Sequence, residues 1–275
     1  QAIRFTYLSQ EDLIESGCID FHLAVDAAAE SLLAHKRGDV LFPEKIVQIF
    51  DQSTQERINC LPATLLAEND RGVQWVSVFP PNVEHGLQNL TALFVLSEIE
   101  HGFPLAVLEG TLASNVRVGA VGALAAKHFA LPDAASIGFI GAGEQAKMHL
   151  LAMKTVRPTL RECRVAAATA EEVGRFVAEM APIVPDMTFV EAGTDRQRAV
   201  EGADIVVTAT SAQAPLLEAA WVKPGSFYSH VGGWEDEYAV AAQSDKIVTD
   251  DWETVKNRTQ TLRRMYKEGK LTAAD

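Results

Sequence analysis

A glycine-rich turn in the middle of the chain has the residue types and spacing that phosphate binding requires. The apolar run Ile137–Ile140 leads into Gly141-Ala142-Gly143-Glu144-Gln145-Ala146, which opens a stretch with helical spacing. The first glycine permits a tight turn, the second lets a phosphate approach the backbone, and Ala146 lets the helix pack closely on the strand. Free N–H groups at the helix start would face the phosphates. The pattern predicts dinucleotide binding at residues 141–145, and a tight turn without a ligand is the alternative.

Arg117 is a candidate for binding an acidic group of a small ligand. It lies near the predicted start of a helix rich in glycine and alanine, with Ser114 or Asn115 as cap candidates. Its apolar neighbours predict a buried guanidinium, which needs an acidic partner such as a ligand carboxylate or phosphate. An internal salt bridge with Glu109 is the alternative. Lys45 is a second cationic candidate, although it also fits a surface lysine.

Hydroxyl groups follow a later apolar run, where a parallel strand would end. Thr208, Thr210 and Ser211 close the run Ile205–Thr208. In open α/β sheets the ligand lies outside the carboxyl ends of the strands, so these hydroxyls are predicted to contact a cofactor. The alternative is that they cap the next segment.

A second glycine turn, which is followed by acidic residues, lies at the end of the next predicted strand. Val231 and Gly232 are predicted cofactor contacts, because glycine allows close approach of the backbone. Glu235 and Asp236 are candidates for proton transfer or for binding a substrate amine. A solvated acidic loop is the alternative.

The elements that position these residues are predicted from the alternation of apolar strands and helices after residue 135. Such alternation implies a parallel sheet with right-handed crossovers. Helices are predicted at Glu171–Met180, Arg196–Glu201 and, near the end, Trp252–Tyr266. Residues 40–109 instead predict antiparallel strands, with turns at 51–55 and at His101-Gly102. The predicted strands of the second half are Ile137–Ile140, Cys163–Ala167, Thr188–Val190, Ile205–Thr208, Ser226–Val231 and Lys246–Thr249.

Composition and charge exclude several classes of protein. The 275 residues carry a net charge of −13, whereas nucleic-acid or anionic-membrane partners require a basic face. The three cysteines are widely spaced and the seven histidines have no metal-ligand spacing, so we expect neither disulfides nor a metal site. Neither a signal peptide nor an apolar run long enough to span a bilayer is recognisable, and a cytoplasmic location is expected.

Several motifs in the same order along the chain resemble the ornithine cyclodeaminase/mu-crystallin family. The motifs are PLAVLEGT at Pro104–Thr111, Arg117 in a small-residue helix, GAGEQA at Gly141–Ala146, ADIVVTATS at Ala203–Ser211 and VTDD at Val248–Asp251. The resemblance implies a Rossmann-type NAD(P)-binding domain, residues 117–251, with a second α+β domain for substrate binding and dimerisation, residues 1–116. Residues 252–275 are predicted to return to the second of these domains. A homodimer is implied as well.

The resemblance carries over to individual residues with several departures. Arg117 matches the arginine that such enzymes use for the substrate carboxylate, and Lys45 stands where the family usually has a second arginine. Gln74 replaces a substrate-binding lysine, and Asn89 replaces a threonine. Trp234 takes the place of the aspartate that follows the second glycine turn, with Glu235 one residue later.

The cofactor preference is open, because the turn Ala166–Thr169 has none of the acids that hold the ribose of NAD. Thr169 is included among the predicted cofactor contacts, and the cofactor is expected to be NAD or NADP.

The resemblance implies an NAD(P)-dependent oxidoreductase/deaminase of the ornithine cyclodeaminase type, with hydride transfer between an amino-acid amine and the nicotinamide through an imine. Alternatives within the family are an alanine dehydrogenase, a ketimine reductase or an opine-type dehydrogenase. A non-catalytic nucleotide-bound protein that binds a small ligand, of the mu-crystallin type, is a further alternative, favoured by Gln74 and Trp234. A Rossmann methyltransferase is disfavoured, because Asp133 lies too far before the glycine turn to be its acid.

Overall fold

The computed structural model describes residues 2–257 and 260–272. It divides into two compact units, Gln1–Arg117 and Val118–Asp275. The division falls one residue from the predicted domain boundary. The described residues 252–257 and 260–272 group with the second unit, whereas residues 252–275 were predicted to return to the first.

The first unit is built around a mainly antiparallel sheet. Its helices are α1 (Gln10–Glu15) and α2 (Phe21–Arg37), with a 3-10 turn at Pro80–His85. Its strands are β1 (Thr6–Leu8), β2 (Val40–Leu41), β3 (Ile46–Asp51), β4 (Glu56–Leu65), β5 (Asp70–Val78), β6 (Leu90–Ser97) and β7 (Pro104–Glu109). Their order is β1-β7-β6-β5-β4-β2, with β3 also paired to β4. Among the described strands of this unit, only the β1–β7 pair is parallel. The β3–β4 and β6–β7 hairpins confirm both predicted turns.

The helix ends in the first unit follow from local sequence. Ser9 and Asp12 form a capping box at the start of α1. The Asp20 carboxylate accepts from the first N–H groups of α2, and Gly38 ends this helix in the left-handed conformation. Capping satisfies backbone groups that a helix end leaves without partners.

Helix α3 (Thr111–Phe129) begins earlier than the sequence predicted. The Glu109 carboxylate accepts hydrogen bonds from the N–H groups of Thr111 and Leu112, so it satisfies two donors at the helix start. Ser114 and Asn115 therefore lie inside the helix, and the prediction that one of them caps it is wrong. Arg117 lies in the second turn and is exposed, which corrects the expectation of a buried guanidinium.

The second unit contains a parallel sheet with helices between its strands. The strands of this sheet are β8 (Ser136–Ile140), β9 (Glu162–Ala166), β10 (Thr188–Gly193), β11 (Ile205–Thr208) and β13 (Phe227–His230). The connecting helices are α4 (Glu144–Val156), α5 (Ala170–Met180) and α6 (Arg196–Val200). The strand order is β10-β9-β8-β11-β13, and all these pairs are parallel. This is the doubly wound order of a Rossmann-type sheet, which confirms the predicted fold.

The end of the chain differs from the sequence prediction. Residues 246–249 are not a strand, so the predicted sixth strand is wrong. Two short strands that the sequence did not reveal, β12 (Gln213–Leu217) and β14 (Trp234–Asp236), form a separate parallel pair. Short helices follow: α7 (Tyr238–Ala242), α8 (Trp252–Val255) and α9 (Thr261–Lys267). No helix in the described part of the chain has the length and apolar character needed to cross a bilayer.

Strand β8 lies at the centre of the second unit, and helices approach each other closely beside it. Ile137, Phe139 and Ile140 of this strand are buried. A Cβ on Gly119 of α3 would lie 2.8 Å from the carbonyl oxygen of Met148 in α4. A Cβ on Gly122 would lie 2.8 Å from Nε2 of the buried His149. The two helices are therefore in backbone contact, which explains why the sequence tolerates glycine inside α3.

We predict that Gly119→Ala lowers the free energy of unfolding by about 1–3 kcal/mol, because the added methyl group overpacks the α3–α4 contact. Gly174 in α5 is the matched control, since nothing lies within 4 Å of its Cβ position. Gly174→Ala should raise stability by about 0.5–1 kcal/mol through helix propensity. Urea unfolding of both variants measures the difference, and equal effects of the two substitutions would contradict the close contact.

Candidate functional site

The glycine turn after β8 has the tight geometry that its sequence predicted. Gly141 has φ +110°, its N–H donates to the carbonyl of Ala166 over 2.8 Å, and a Cβ would lie 2.4 Å from the carbonyl oxygen of Ala209. The N–H of Ala209 donates to the carbonyl of Ile140 over 2.9 Å. Backbone conformation and steric contact each require glycine at position 141.

Gly143 differs from Gly141 because the space beside it is open. It is the N-cap of α4, without a side-chain cap, and nothing lies within 4 Å of its Cβ position. The first N–H groups of an α-helix, here beginning with that of Glu144, have no acceptor one turn earlier in the helix. Ala146 is fully buried, as close packing of helix and strand requires. An open approach to free N–H groups at a helix start fits a bound phosphate group.

The side chains around this turn have structural partners. The Glu144 carboxylate accepts from the Lys147 ammonium over 2.6 Å, and Lys147 also bonds Glu179 over 2.5 Å. The carbonyl of Gln145 accepts from Nδ1 of His149 over 2.8 Å. Burial lowers the pKa of His149 to about 4, so its ring is neutral at physiological pH. The residues of the turn, from Ala142 onward, therefore have mainly backbone groups to offer a phosphate.

The hydroxyl groups that were predicted to contact a cofactor differ in their burial and in their hydrogen-bond partners. Thr208 is fully buried and its Oγ1 lies 2.8 Å from the Tyr228 hydroxyl, so this hydroxyl already has a protein partner. The Thr169 hydroxyl caps α5 by accepting from the N–H of Glu172. Ser211 is exposed. Thr169 and Ser211 are therefore the exposed hydroxyls of this predicted set, and Thr210 is half-buried.

Glu235 is a buried carboxylate that joins two loops at the carboxyl edge of the sheet. Its Oε1 accepts from the N–H of Thr210 over 2.5 Å and from the Thr210 hydroxyl over 2.6 Å. Its Oε2 accepts from the N–H of Gly232 over 2.7 Å. The side chain is fully buried, and a general base must be within reach of the proton that it removes. Glu235 thus joins the two loops in this structure, and its predicted catalytic role stays a prediction.

The buried Glu235 carboxylate also explains why residue 232 is a glycine. A Cβ at this position would lie 2.3 Å from the carbonyl oxygen of Thr210 and 2.5 Å from Cδ of Glu235. Protein atoms thus fill the space that the sequence analysis assigned to an approaching cofactor. Val231 continues the sheet, because its N–H donates to the carbonyl of Thr208 over 3.0 Å.

Asp236 belongs to a buried network as well. It accepts a hydrogen bond from the Thr261 hydroxyl of α9, and its Oδ1 lies 3.6 Å from Nδ1 of His230. Burial raises the pKa of the Asp236 carboxyl. Nε2 of His230 donates to the carbonyl of Gly233 over 2.8 Å, since a carbonyl can only accept. Asp236 therefore contacts both the imidazole and α9, and its predicted role in proton transfer or in binding a substrate amine stays a prediction.

Tyr228 and His230 lie beside Thr208 and Glu235, and the sequence analysis did not single them out. They alternate along β13 and so share one face, where their rings stack with centroids 6.0 Å apart. Burial raises the pKa of the Tyr228 hydroxyl. Two polar aromatic residues spaced by two at the end of a strand were the available sequence signal. The described residues contain no group of three or more histidine, cysteine or acidic side chains that could hold a metal ion.

The predicted substrate residues lie in the first unit, and three of them share one region of its sheet. Nε2 of the buried Gln74 donates to the Ser114 hydroxyl over 3.0 Å. Ser114 and Arg117 are three residues apart on α3, so they lie on the same helix face. Lys45 immediately precedes β3 and is exposed. Continuing the β3–β4 register by one residue places Lys45 opposite Leu61, the partner of Gln74.

Asn89 is not brought into this group. It lies just before β6, it is exposed, and its carbonyl accepts from the N–H of Phe79 over 2.7 Å. Gln74 pairs with Phe94, five residues further along β6. That separation corresponds to about 17 Å along a strand.

We predict that Glu235→Gln lowers the free energy of unfolding by about 1–3 kcal/mol, because the amide NH₂ would face an N–H or hydroxyl donor in place of an acceptor. The control is Glu171→Gln, whose side chain is 81% exposed and should change stability by less than about 0.5 kcal/mol. Urea unfolding at neutral pH provides the measurement. A variant as stable as the control would show that the Glu235 carboxylate does not hold the two loops.

Comparison with known proteins agrees with this fold. The model of the ornithine cyclodeaminase/mu-crystallin family matches residues 8–242. N-((2S)-2-amino-2-carboxyethyl)-L-glutamate dehydrogenase of Staphylococcus aureus is 27% identical over 97% of this chain and 80% of its own length. The structure of Thermococcus litoralis Δ1-pyrroline-2-carboxylate reductase with NADH and L-proline is 27% identical, with a TM-score of 0.90 over 97% of this chain and 82% of that one. An archaeal alanine dehydrogenase dimer with bound NAD is 27% identical, with a TM-score of 0.86 over 98% of this chain and 81% of that one. The chain belongs to the ornithine cyclodeaminase/mu-crystallin family.

Proposed function

We propose that this protein is an NAD(P)-dependent oxidoreductase that interconverts the amine and imine forms of a small amino-acid-like substrate. The observation that carries the proposal is the turn at Gly141–Gly143, which leaves free N–H groups of α4 open to a phosphate at the point where the strand order reverses. Dinucleotides bind at such switch points in Rossmann-type sheets. The relatives that bind NADH or NAD with similar folds support the same reading.

The residues of the second unit have binding and positioning roles in this proposal. The N–H groups at the start of α4 would hold the pyrophosphate, and the loops joined by Glu235 would form the edge of the nucleotide site. A bound nicotinamide supplies the hydride chemistry. Ala166, at the end of β9, and the two alanines after it offer no acid for the ribose hydroxyls, so NAD and NADP are both candidates.

Arg117, Lys45 and Gln74 form the proposed substrate-binding group. An exposed guanidinium on α3 is accessible to a small carboxylate, which it can bind through two parallel hydrogen bonds. Gln74 is neutral and already donates to Ser114. The group therefore favours a substrate that is recognised mainly by its carboxylate.

We also propose that two copies of the chain associate. Directly opposite residues across β3, β4, β5 and β6 form one row on the sheet face: Ile46, Cys60, Trp75 and Leu93. Ile46, Trp75 and Leu93 in this row are 67%, 47% and 42% exposed. Exposed apolar patches of this kind mark protein–protein contacts. The dimeric alanine dehydrogenase among the similar structures supports this assignment.

We predict that Gly143→Val weakens NADH or NADPH binding about ten-fold or more while the melting temperature changes little, because the new side chain would fill the open space beside the free N–H groups. Fluorescence titration with each dinucleotide measures the affinity. Gly174→Ala is the control, since its Cβ position is also open but lies on α5. Unchanged dinucleotide affinity in Gly143→Val would contradict the proposed site.

We predict that Arg117→Ala raises KM for the active substrate about ten-fold or more and leaves the dinucleotide affinity within about two-fold, because a charge-assisted bidentate contact is lost. The substrate is first found by following NAD(P)H absorbance on a panel of amino acids and keto acids. Arg117→Lys should recover only part of the loss, since it keeps the charge without the planar fork. Equal loss of substrate and dinucleotide binding would assign Arg117 a structural role. Dinucleotide binding without turnover of any panel member would favour the non-catalytic ligand-binding alternative.

A further inference from the structure

The guanidinium of Arg264 stacks on the indole ring of Trp234. Its Cζ lies 4.0 Å from the centroid of the ring. Arg264 belongs to α9, and Trp234 begins β14, in the loop that follows the second glycine turn. Stacking on an aromatic face restrains the plane of a guanidinium, which leaves its edge free to donate hydrogen bonds.

Two hydrogen bonds fix α9 against this loop. Nε2 of Gln260 donates to the carbonyl of Gly232 over 2.9 Å, and the Thr261 hydroxyl donates to Asp236. Both acceptors flank Trp234 in sequence. Arg264 lies one helical turn after these anchors, so its position over Trp234 follows from contacts at both ends of the segment. The cation is thereby preorganised at the carboxyl edge of β13.

The donors of this cluster lack acceptors. Nε1 of Trp234 and Nε of Arg264 are buried, and neither has a hydrogen-bond partner among residues 2–257 and 260–272. Buried polar groups in folded proteins are nearly always hydrogen-bonded. The Glu268 carboxylate, one turn after Arg264, instead accepts from Tyr238 over 2.8 Å and from Lys270 over 2.7 Å. The cluster therefore offers N–H groups and positive charge without a carboxylate bonded to them in the described chain.

We propose that Arg264 and Trp234 form a binding site for a carboxylate of a small acidic molecule. A carboxylate accepts two parallel hydrogen bonds from a guanidinium, and it supplies the acceptors that these donors lack. The family resemblance implies an aspartate at position 234, which would attract an amine. This chain has an indole ring stacked against a guanidinium at that position. We therefore expect the position to bind an acidic group of a ligand rather than a basic one.

The test uses the 275-residue chain without cofactor, so its outcome does not depend on the proposed oxidoreductase activity. Thermal unfolding is followed with increasing succinate or L-glutamate, at constant ionic strength balanced with chloride. Both acids should raise the melting temperature more than chloride alone. Stronger protection by L-glutamate identifies the ligand as an amino-acid substrate with a second carboxylate, and equal protection identifies a simple dicarboxylate.

The variants separate a binding role from a structural one. Arg264→Met should need an acid concentration about ten-fold or more higher to reach the same rise in melting temperature. Arg264→Lys keeps the charge without the planar fork, so it should need a smaller increase in acid concentration. Trp234→Phe keeps the aromatic face and loses one N–H, so it should weaken the shift without lowering the melting temperature of the unliganded protein. Arg175→Met on α5, where the arginine side chain is 64% exposed, is the control for loss of charge. The proposal would be overturned if the acids raised the melting temperature of Arg264→Met and Arg264→Lys as much as that of the unmodified protein. It would also be overturned if they raised the melting temperature of the unmodified protein no more than chloride does.

Discussion

Close approach of backbone to backbone around β8 is the constraint on which the second unit depends. A Cβ on Gly138 would lie 2.3 Å from the carbonyl of Ala199, and one on Gly141 would lie 2.4 Å from the carbonyl of Ala209. These contacts bring α6 and the loop after β11 directly against the central strand. The turn that leads into α4 is consequently rigid, and the free N–H groups at the start of this helix are held in one orientation. Gly143 is the position in this turn where the neighbouring space is open rather than filled by protein.

A second constraint at the carboxyl edge of the sheet is the hydrogen bonding of two buried acidic side chains, Glu235 and Asp236. Glu235 joins the loops after β11 and β13, while Asp236 connects the β14 segment to α9. Removing a carboxylate from water is unfavourable unless hydrogen bonds replace the water. The three hydrogen bonds to Glu235 meet that requirement and fix both loops together. In the proposed function these loops border the nucleotide site, and the two acids hold them in position.

The two units show different balances between buried and exposed apolar surface. The second unit encloses a core in which β8 and β11 are almost completely buried. In the first unit, β3 is exposed along its whole length and belongs to a sheet face with large exposed side chains. Antiparallel sheets need only one face packed on a core, which leaves the other available for association. This contrast agrees with the proposed function, in which the second unit binds a nucleotide and the first unit supplies substrate contacts and an association surface.

The sequence by itself determined the strand–turn–helix at Gly141–Ala146, the parallel sheet and the hairpins of the first unit. These features depend on local rules: glycine conformations, apolar periodicity and turn residues act over a few neighbouring positions. The sequence also indicated Arg117 as a cation on a small-residue helix. It misplaced the start of that helix, because the capping carboxylate of Glu109 belongs to the preceding strand and resembles any other acid in the sequence.

Only the tertiary structure decided the burial and the hydrogen-bond partners of Glu235, Asp236 and Thr208. In the sequence, the acids after the second glycine turn look like a solvated loop or a reactive pair. Their partners, Thr210 and Thr261, are 25 residues away in either direction. The stacking of Arg264 on Trp234 is likewise a contact between segments that have no local pattern in common. Burial and hydrogen bonding of a polar side chain are set by what the fold brings against it, and for that physical reason composition and spacing alone could not reveal them.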